Sequence, residues 1–215
     1  AGKRIVFVNF SGAAIALEPE SQNCEAILQA WYPGQAGGQA VAEVLFGDYN
    51  PAGKLPLTFY RNLAQIPDFE DYNMTGRTYR YMKETPLFPF GHGLSYTTFK
   101  YGKLKMNDDK IAAGQNLNLV IPVTNTGSRD GDEVVQVYLK KMDDTEGPVK
   151  TLRAFKRVRI PAGKTVEVKF SLNDTQLEWW DEQSNTMRVC PGNYTVMIGG
   201  TSCEKSLLSR TFTIR

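Results

Sequence analysis

At 215 residues, 41% hydrophobic and 22% charged, the chain has a globular composition with room for one or two domains and a sizeable core. Lys+Arg 25 against Asp+Glu 23 leaves a net charge of +2, too even a balance to favour nucleic acid or an acidic polymer as partner. No run approaches ~18 consecutive apolar residues, so no membrane-spanning helix is expected.

The first predicted element is a strand over Lys3–Phe10, a continuous apolar, β-branched run of the kind covered on both faces. The run is short and has no cleavage site, so it does not read as a signal peptide. Glu25–Tyr32 is a second such run, ended by Pro33-Gly34. Gly37-Gly38 opens a predicted helix through Phe46, where Val41, Val44 and Leu45 fall at i, i+3, i+4. Gly47 is placed to cap it. Asn50-Pro51-Ala52-Gly53 is turn chemistry, and Lys54–Tyr60 reads as a third strand. Strand, helix and strand with short connections predict a parallel βαβ unit. Residues 61–95 are rich in aromatics, proline and glycine and have little periodicity. Long irregular segments of this kind are usually functional or wrap another surface.

After about residue 98 the period becomes two. Leu117, Leu119, Ile121 and Val123 alternate with polar partners, as do Val166, Val168, Phe170 and Leu172, then Tyr194, Val196 and Ile198. Turn signals at Thr126-Gly127-Ser128, Pro161–Lys164 and Pro191-Gly192-Asn193 separate them. This spacing predicts an immunoglobulin-like antiparallel β-sandwich of about seven strands. The fold class is therefore α/β over 1–97, with a trailing irregular loop, followed by all-β over 98–215. Short basic clusters such as Lys156–Arg159 read as solvated strand faces. Trp179-Trp180 is expected to pack against the sheet, a sugar platform being the alternative.

Cys24, Cys190 and Cys203 are an odd set without CxxC spacing, which argues against zinc and against a disulfide framework. They read as free, buried thiols, with pairing of Cys190 and Cys203 the alternative in an oxidising compartment. His92, the single histidine, sits between two glycines and reads as structural. No metal site is expected. Four Asn-x-Ser/Thr sequons, at Asn9, Asn73, Asn173 and Asn193, read as incidental.

Two long stretches carry a resemblance: AWYPGQAGGQAVAEVLFGDYNPAGKLPLTF at Ala30–Phe59 and FPFGHGLSYTTF at Phe88–Phe99. With Arg77-Thr78-Tyr79-Arg80-Tyr81 between them, they resemble the C-terminal half of family 3 glycoside hydrolases of the bacterial β-xylosidase/β-glucosidase type. His92 stands where that family more often has tyrosine. VNFSGAAIALEPE at Val8–Glu20 is closest to the xylosidase branch, and LVIPVTNTGSRDGDEVVQVYL at Leu119–Leu139 resembles the start of the family's fibronectin type III-like domain. The resemblance implies an exo-acting retaining β-glycosidase that needs two carboxyl groups ~5 Å apart and no cofactor. It places the nucleophile in an N-terminal (β/α)8 barrel and the acid/base ahead of Lys3, so no catalytic residue is assigned within this chain. It implies as partners an oligosaccharide substrate and that barrel domain. It also implies a periplasmic or extracellular location. The first half is expected to expose apolar surface and to self-associate as a homo-oligomer.

Among the remaining acids, Glu18 and Glu20 flank Pro19, while Asp68, Glu70 and Asp71 precede Tyr72 in the irregular segment. Glu70, Asp71 and Tyr72 are the candidates for substrate contact, because loops carry specificity. Plain solvated charge, or ion pairs to Arg77 and Arg80, is the competing reading. Trp31, Tyr32, Tyr79 and Tyr81 suit either sugar stacking or domain docking. Two other classes of function remain open: a stand-alone carbohydrate-binding module and a protein-interaction module.

Overall fold

A computed structural model describes residues 2–215. The α/β part begins with β1 (Val6–Asn9), which pairs in parallel with β2 (Ala26–Gln29), Val6 opposite Ala26. The crossover between them holds α1 (Glu18–Asn23), started by Pro19 in its first turn and anchored by Leu17, 2% exposed. This helix has only six residues, too few for a helical period to show in the sequence. α2 (Gly37–Phe46) forms where its apolar spacing placed it and ends at Gly47, whose φ of 85° is the left-handed cap that glycine adopts without a Cβ clash.

The third expected strand does not form. Lys54–Tyr60 makes one isolated antiparallel bridge, Phe59 with Phe88, plus Leu55 N–H to the His92 carbonyl at 2.8 Å. Pro56 removes a donor from the middle of this run. The parallel βαβ unit therefore closes around α1 rather than α2. With two strands in this sheet, the expected burial of the first strand on both faces is also not realised. Ile5 is 53% and Val6 48% exposed.

The irregular segment contains α3 (Thr78–Tyr81) and leads into β3 (Phe99–Tyr101), β4 (Lys105–Met106) and β5 (Lys110–Ile111). The long strands are β6 (Leu117–Asn125), β7 (Gly131–Lys141), β8 (Thr151–Ile160) and β9 (Thr165–Leu172). After the short α4 (Asp174–Leu177) come the β10 (Trp179–Asp181) and β11 (Thr186–Arg188) hairpin, then β12 (Gly192–Gly199) and β13 (Leu208–Ile214). One sheet runs β5-β13-β12-β7-β8; the other groups β3, β4 and β9 around β6. Neighbours are antiparallel except β5, which lies parallel to β13. The inward residues of β6 (Leu117, Leu119, Ile121, Val123) share one core with Val135, Val137, Leu139, Val196 and Ile198, all without exposed surface.

β7 does not alternate, because both its faces are covered. The segment before the sandwich lies on its outer side: Tyr79 meets Tyr138 edge-on at 5.9 Å, and Gln136 Nε2 donates to the Gly91 carbonyl at 3.2 Å. The two parts are joined by side chains as well. Asn50 donates to the Asp130 carbonyl at 2.9 Å, Arg157 donates to the Tyr49 hydroxyl at 2.9 Å, and Arg129 donates to the Gly47 carbonyl.

Cys24, Cys190 and Cys203 are free, and Cys190 is buried. The tryptophan pair splits. Trp179 is 3% exposed and donates to Asp144 Oδ2 at 2.6 Å, whereas Trp180 is 50% exposed, so only the first packs as expected. Alternation of side chains along the short β10 accounts for the split.

Candidate functional site

In an open α/β sheet, the carboxyl ends of the strands form the edge where ligands dock. Here that edge is the end of β1 and β2. Asn9 terminates β1 with its side chain 8% exposed; its amide donates to Gln29 Oε1 at 2.6 Å and to Ser11 Oγ at 2.8 Å. Gln29 Nε2 returns to the Ser11 carbonyl at 3.2 Å, and Ser11 Oγ donates to the Ala13 carbonyl at 2.9 Å. This network ties both strand ends to the loop that follows Phe10. The Asn9 amide is thus committed inside the fold, which leaves its sequon no free acceptor.

Two residues after β2, Trp31 has φ 57°. A bulky side chain in the left-handed region costs of order 1–3 kcal/mol and persists only where its surroundings fix it. The Trp31 ring packs edge-on to the buried Phe59 at 6.1 Å. The next residue, Tyr32, is 80% exposed and lies across Gly12, where a Cβ would come within 2.5 Å of the ring. A Cβ on Gly37 would meet Pro33 at 2.7 Å. Within the motif the packing reason holds for Gly37 alone, since a Cβ on Gly34 or Gly38 would meet open space. Around this edge Phe10, Tyr32 and, at the far end of α2, Phe46 are open to solvent.

The irregular segment builds a second exposed feature. Asp68, Asp71 and Asn73 each accept, through the side chain, the backbone N–H two residues on, at 2.8–3.0 Å. Arg77 donates from Nε to the Asn73 carbonyl at 2.9 Å and from Nη2 to the carbonyls of Asp68 and Asp71. The loop is clasped through its main chain; of the competing reading, the ion pairs between these acids and Arg77 or Arg80 are not formed among the described residues, and solvated charge remains. Glu70, Asp71 and Tyr72 consequently stand exposed together, with Tyr72 at 89% and neighbouring Phe69 at 94%. A hollow of about 360 Å³ lies beside the loop between Ile66 and Met82, but none of the three lines it. Glu18 is elsewhere, paired with Arg61 at 3.1 Å.

A buried polar cluster that the sequence did not point to sits at the junction of the two parts. Glu133, 5% exposed, lies 3.5 Å from Lys54 Nζ and accepts from the Tyr101 hydroxyl at 3.0 Å. Burial pushes the Glu133 carboxyl up, against the opposing pull of Lys54. His92 stacks on Phe88 at 5.3 Å; burial first, and Lys54 second, hold its imidazole below the usual histidine range.

Residues 1–96 match the Glycosyl hydrolase family 3 C-terminal domain, and residues 133–202 match the Fibronectin type III-like domain. The chain belongs to glycoside hydrolase family 3, as C-terminal sequence. A xylan 1,4-beta-xylosidase of Xylanibacter ruminicola is 53% identical over 214 residues, taking in 100% of this chain and 24% of that protein. A periplasmic beta-glucosidase of Salmonella typhimurium is 38% identical across 94% of this chain and 28% of its own length. Among solved structures, a β-glucosidase from Erythrobacter marinus superposes with a TM-score of 0.84 at 38% identity, covering 98% of this chain and 28% of that one. The β-glucosidase of Listeria innocua in complex with isofagomine does so with a TM-score of 0.84 at 28% identity, over 99% of this chain and 31% of its own. The family 3 chain thus spans about a quarter to a third of the length of these relatives.

Proposed function

We propose that the chain is the C-terminal portion of an exo-acting, retaining β-glycosidase, a β-xylosidase or β-glucosidase, whose catalytic carboxyl groups lie outside these 215 residues. The observation that carries this reading is the exposed edge itself. An aromatic strand end with Trp31 held at φ 57° and Tyr32 80% exposed is a surface built to meet another surface. The partner proposed for it is an N-terminal barrel domain that brings the nucleophile.

In that enzyme a carboxylate attacks the anomeric carbon as a carboxylic acid protonates the departing oxygen. Water then attacks the glycosyl ester, giving its proton to the same residue and releasing the sugar with its configuration retained. Two carboxyl groups suffice, so no metal or cofactor enters. Glu70, Asp71 and Tyr72 are proposed as a substrate-proximal loop that contacts the sugar without chemistry, and the chain divides near residue 97 into the α/β portion and the sandwich. The parent is placed in the periplasm or outside the cell, by analogy with its relatives, and the exposed α/β face is the surface through which this chain self-associates when alone.

Hydrolysis of aryl β-xyloside and aryl β-glucoside tests this reading. The 215-residue chain is expected to give no turnover and the full-length enzyme to hydrolyse one or both. In the full-length enzyme Tyr72→Ala should raise KM with little change in kcat, as loss of uniform binding does. Turnover by the chain alone, lost in Glu18→Gln, Glu70→Gln or Asp71→Asn, would refute the assignment.

A further inference from the structure

A further cleft lies in neither feature above. It opens in the sandwich beside the β10–β11 hairpin, has a volume of about 740 Å³, and is closed on one side by Arg80 and Tyr81 of the preceding segment. That size is typical of small-ligand sites. Three polar atoms make it unusual. Among the described residues, nothing pairs with Arg80 Nε, Arg153 Nε or Thr151 Oγ1, although each atom is buried and each residue lines the cleft. A buried donor without a partner costs roughly 1–3 kcal/mol, so such groups normally have one.

Arg153 is held on its far side, and Arg80 lies beside a tyrosine ring. Arg153 Nη2 donates to the Glu178 carbonyl at 2.6 Å and its Cζ lies 5.5 Å from the centre of the Trp179 ring; Arg80 Cζ lies 5.4 Å from that of Tyr81. The carboxylates of the cleft are largely occupied. Asp144 accepts from Trp179 Nε1 and from the Gly147 N–H, both at 2.6 Å, and Asp181 pairs with Arg188 at 2.8 Å. Cationic and anionic side chains line it in near balance, which selects against a small ion of either sign. Trp180 presents a half-exposed indole at the same cleft.

Guanidinium donors, carboxylate acceptors and one half-exposed aromatic ring are the complement of a neutral polyhydroxyl ligand. Each sugar hydroxyl both accepts and donates, and a pyranose offers an apolar C–H face to a ring. We propose that this cleft is a carbohydrate-binding site of the sandwich, taking a neutral β-linked oligosaccharide. One sugar stacks on Trp180, and Arg80, Arg153 and Thr151 turn their shielded Nε–H and hydroxyl groups outward to meet its hydroxyls. The choice of sugar as the ligand class rests on the proposed function; the existence of a polyhydroxyl site rests on the cleft alone.

Calorimetric titration of the 215-residue chain with xylotetraose and with cellotetraose tests it. Saturable binding to at least one is expected, weakened about tenfold or more by Trp180→Ala, as for loss of one stacking contact worth about 1.4 kcal/mol. Thr151→Val should weaken it as well, and both variants should keep the melting temperature of the parent chain. No saturable heat up to about 10 mM sugar, a Kd too weak to serve as a site, would overturn the proposal. So would binding that neither variant weakens, or binding confined to uronic-acid oligosaccharides. Failure here with an active full-length enzyme would remove the cleft and leave the proposed function standing. Binding intact beside a full-length enzyme that hydrolyses no glycoside would do the reverse.

Discussion

Strand β6 of the sandwich and strand β1 of the α/β part are both runs of branched apolar residues, and they meet opposite environments. Leu117, Leu119, Ile121 and Val123 have no exposed surface, because a second sheet closes over them. Ile5 and Val6 are about half exposed, because the described sheet has two strands and only the short α1 in its crossover. Phe46, Leu63, Phe69 and Tyr72, all in the first part, are more exposed still. Apolar area left in water forfeits ~25 cal/mol per Å². The sandwich completes its own core; the α/β part leaves apolar surface open, the surface proposed above to dock on another domain.

Mutations separate the two regimes most sharply. Ile121→Ala should cost about 3–4 kcal/mol of unfolding free energy, as a large-to-small change in a closed core does. Phe46→Ala removes more atoms yet should cost under about 0.5 kcal/mol in this chain. Equal losses in denaturant titrations would erase the contrast. At the junction, Gln136 Nε2 donates to the carbonyls of Gly91 and Gly200, and its Oε1 accepts from Tyr138 at 2.5 Å. Gln136→Leu should cost about 2 kcal/mol by orphaning those groups. It should also speed proteolysis between residues 85 and 96 before it touches the sandwich. Unchanged cleavage there would mean the segment is held by something else.

Gly47→Ala forces a Cβ onto a residue at φ 85° that also offers its carbonyl to Arg129. A loss of about 1 kcal/mol is expected; none would mean that the helix end is loose. The smallest effect expected is a pH dependence. The His92 imidazole is held below its ordinary value of 6.5, so folding favours the neutral form. That contribution is fully present above the ordinary value and is lost as pH falls through the folded one. The raised Glu133 carboxyl acts oppositely, since folding favours its protonated form. Its contribution is present at low pH and is lost as pH rises through the folded value. His92→Phe keeps a ring against Phe88 and removes the titration. Its melting temperature relative to the unsubstituted chain should therefore be higher at pH 5 than at pH 7, and a constant difference would contradict the assignment.

Much of this was legible in the sequence, for physical reasons. The alternation along β6, β9 and β12 reports one wet and one dry face, and α2 with its Gly47 cap declares itself by spacing. β7 hid because both its faces are covered, by a segment that has no periodicity of its own. The strand expected at Lys54–Tyr60 failed because Pro56 removes a donor, a signal the sequence does carry, and because its partner at residues 87–92 has no period of its own. α1 was too short to see. Of the sites, Tyr32 was visible as an aromatic at a predicted strand end, and Glu70–Tyr72 as acidic and aromatic residues in aperiodic sequence. The Asn9–Ser11–Gln29 network and the surroundings of Arg80 and Arg153 depend on contacts between distant segments, whereas the Arg77 clasp is local but made to main-chain carbonyls that no residue type marks.

Hydrogen exchange of the 215-residue chain, followed residue by residue, tests the contrast most directly. Amides of β6, β7 and β12 should exchange only through global unfolding, while those of β1, β2 and α2 should open at a far lower free energy. Equal protection in both parts would show that the α/β portion completes its own core, and would contradict the reading of its exposed face as a docking surface.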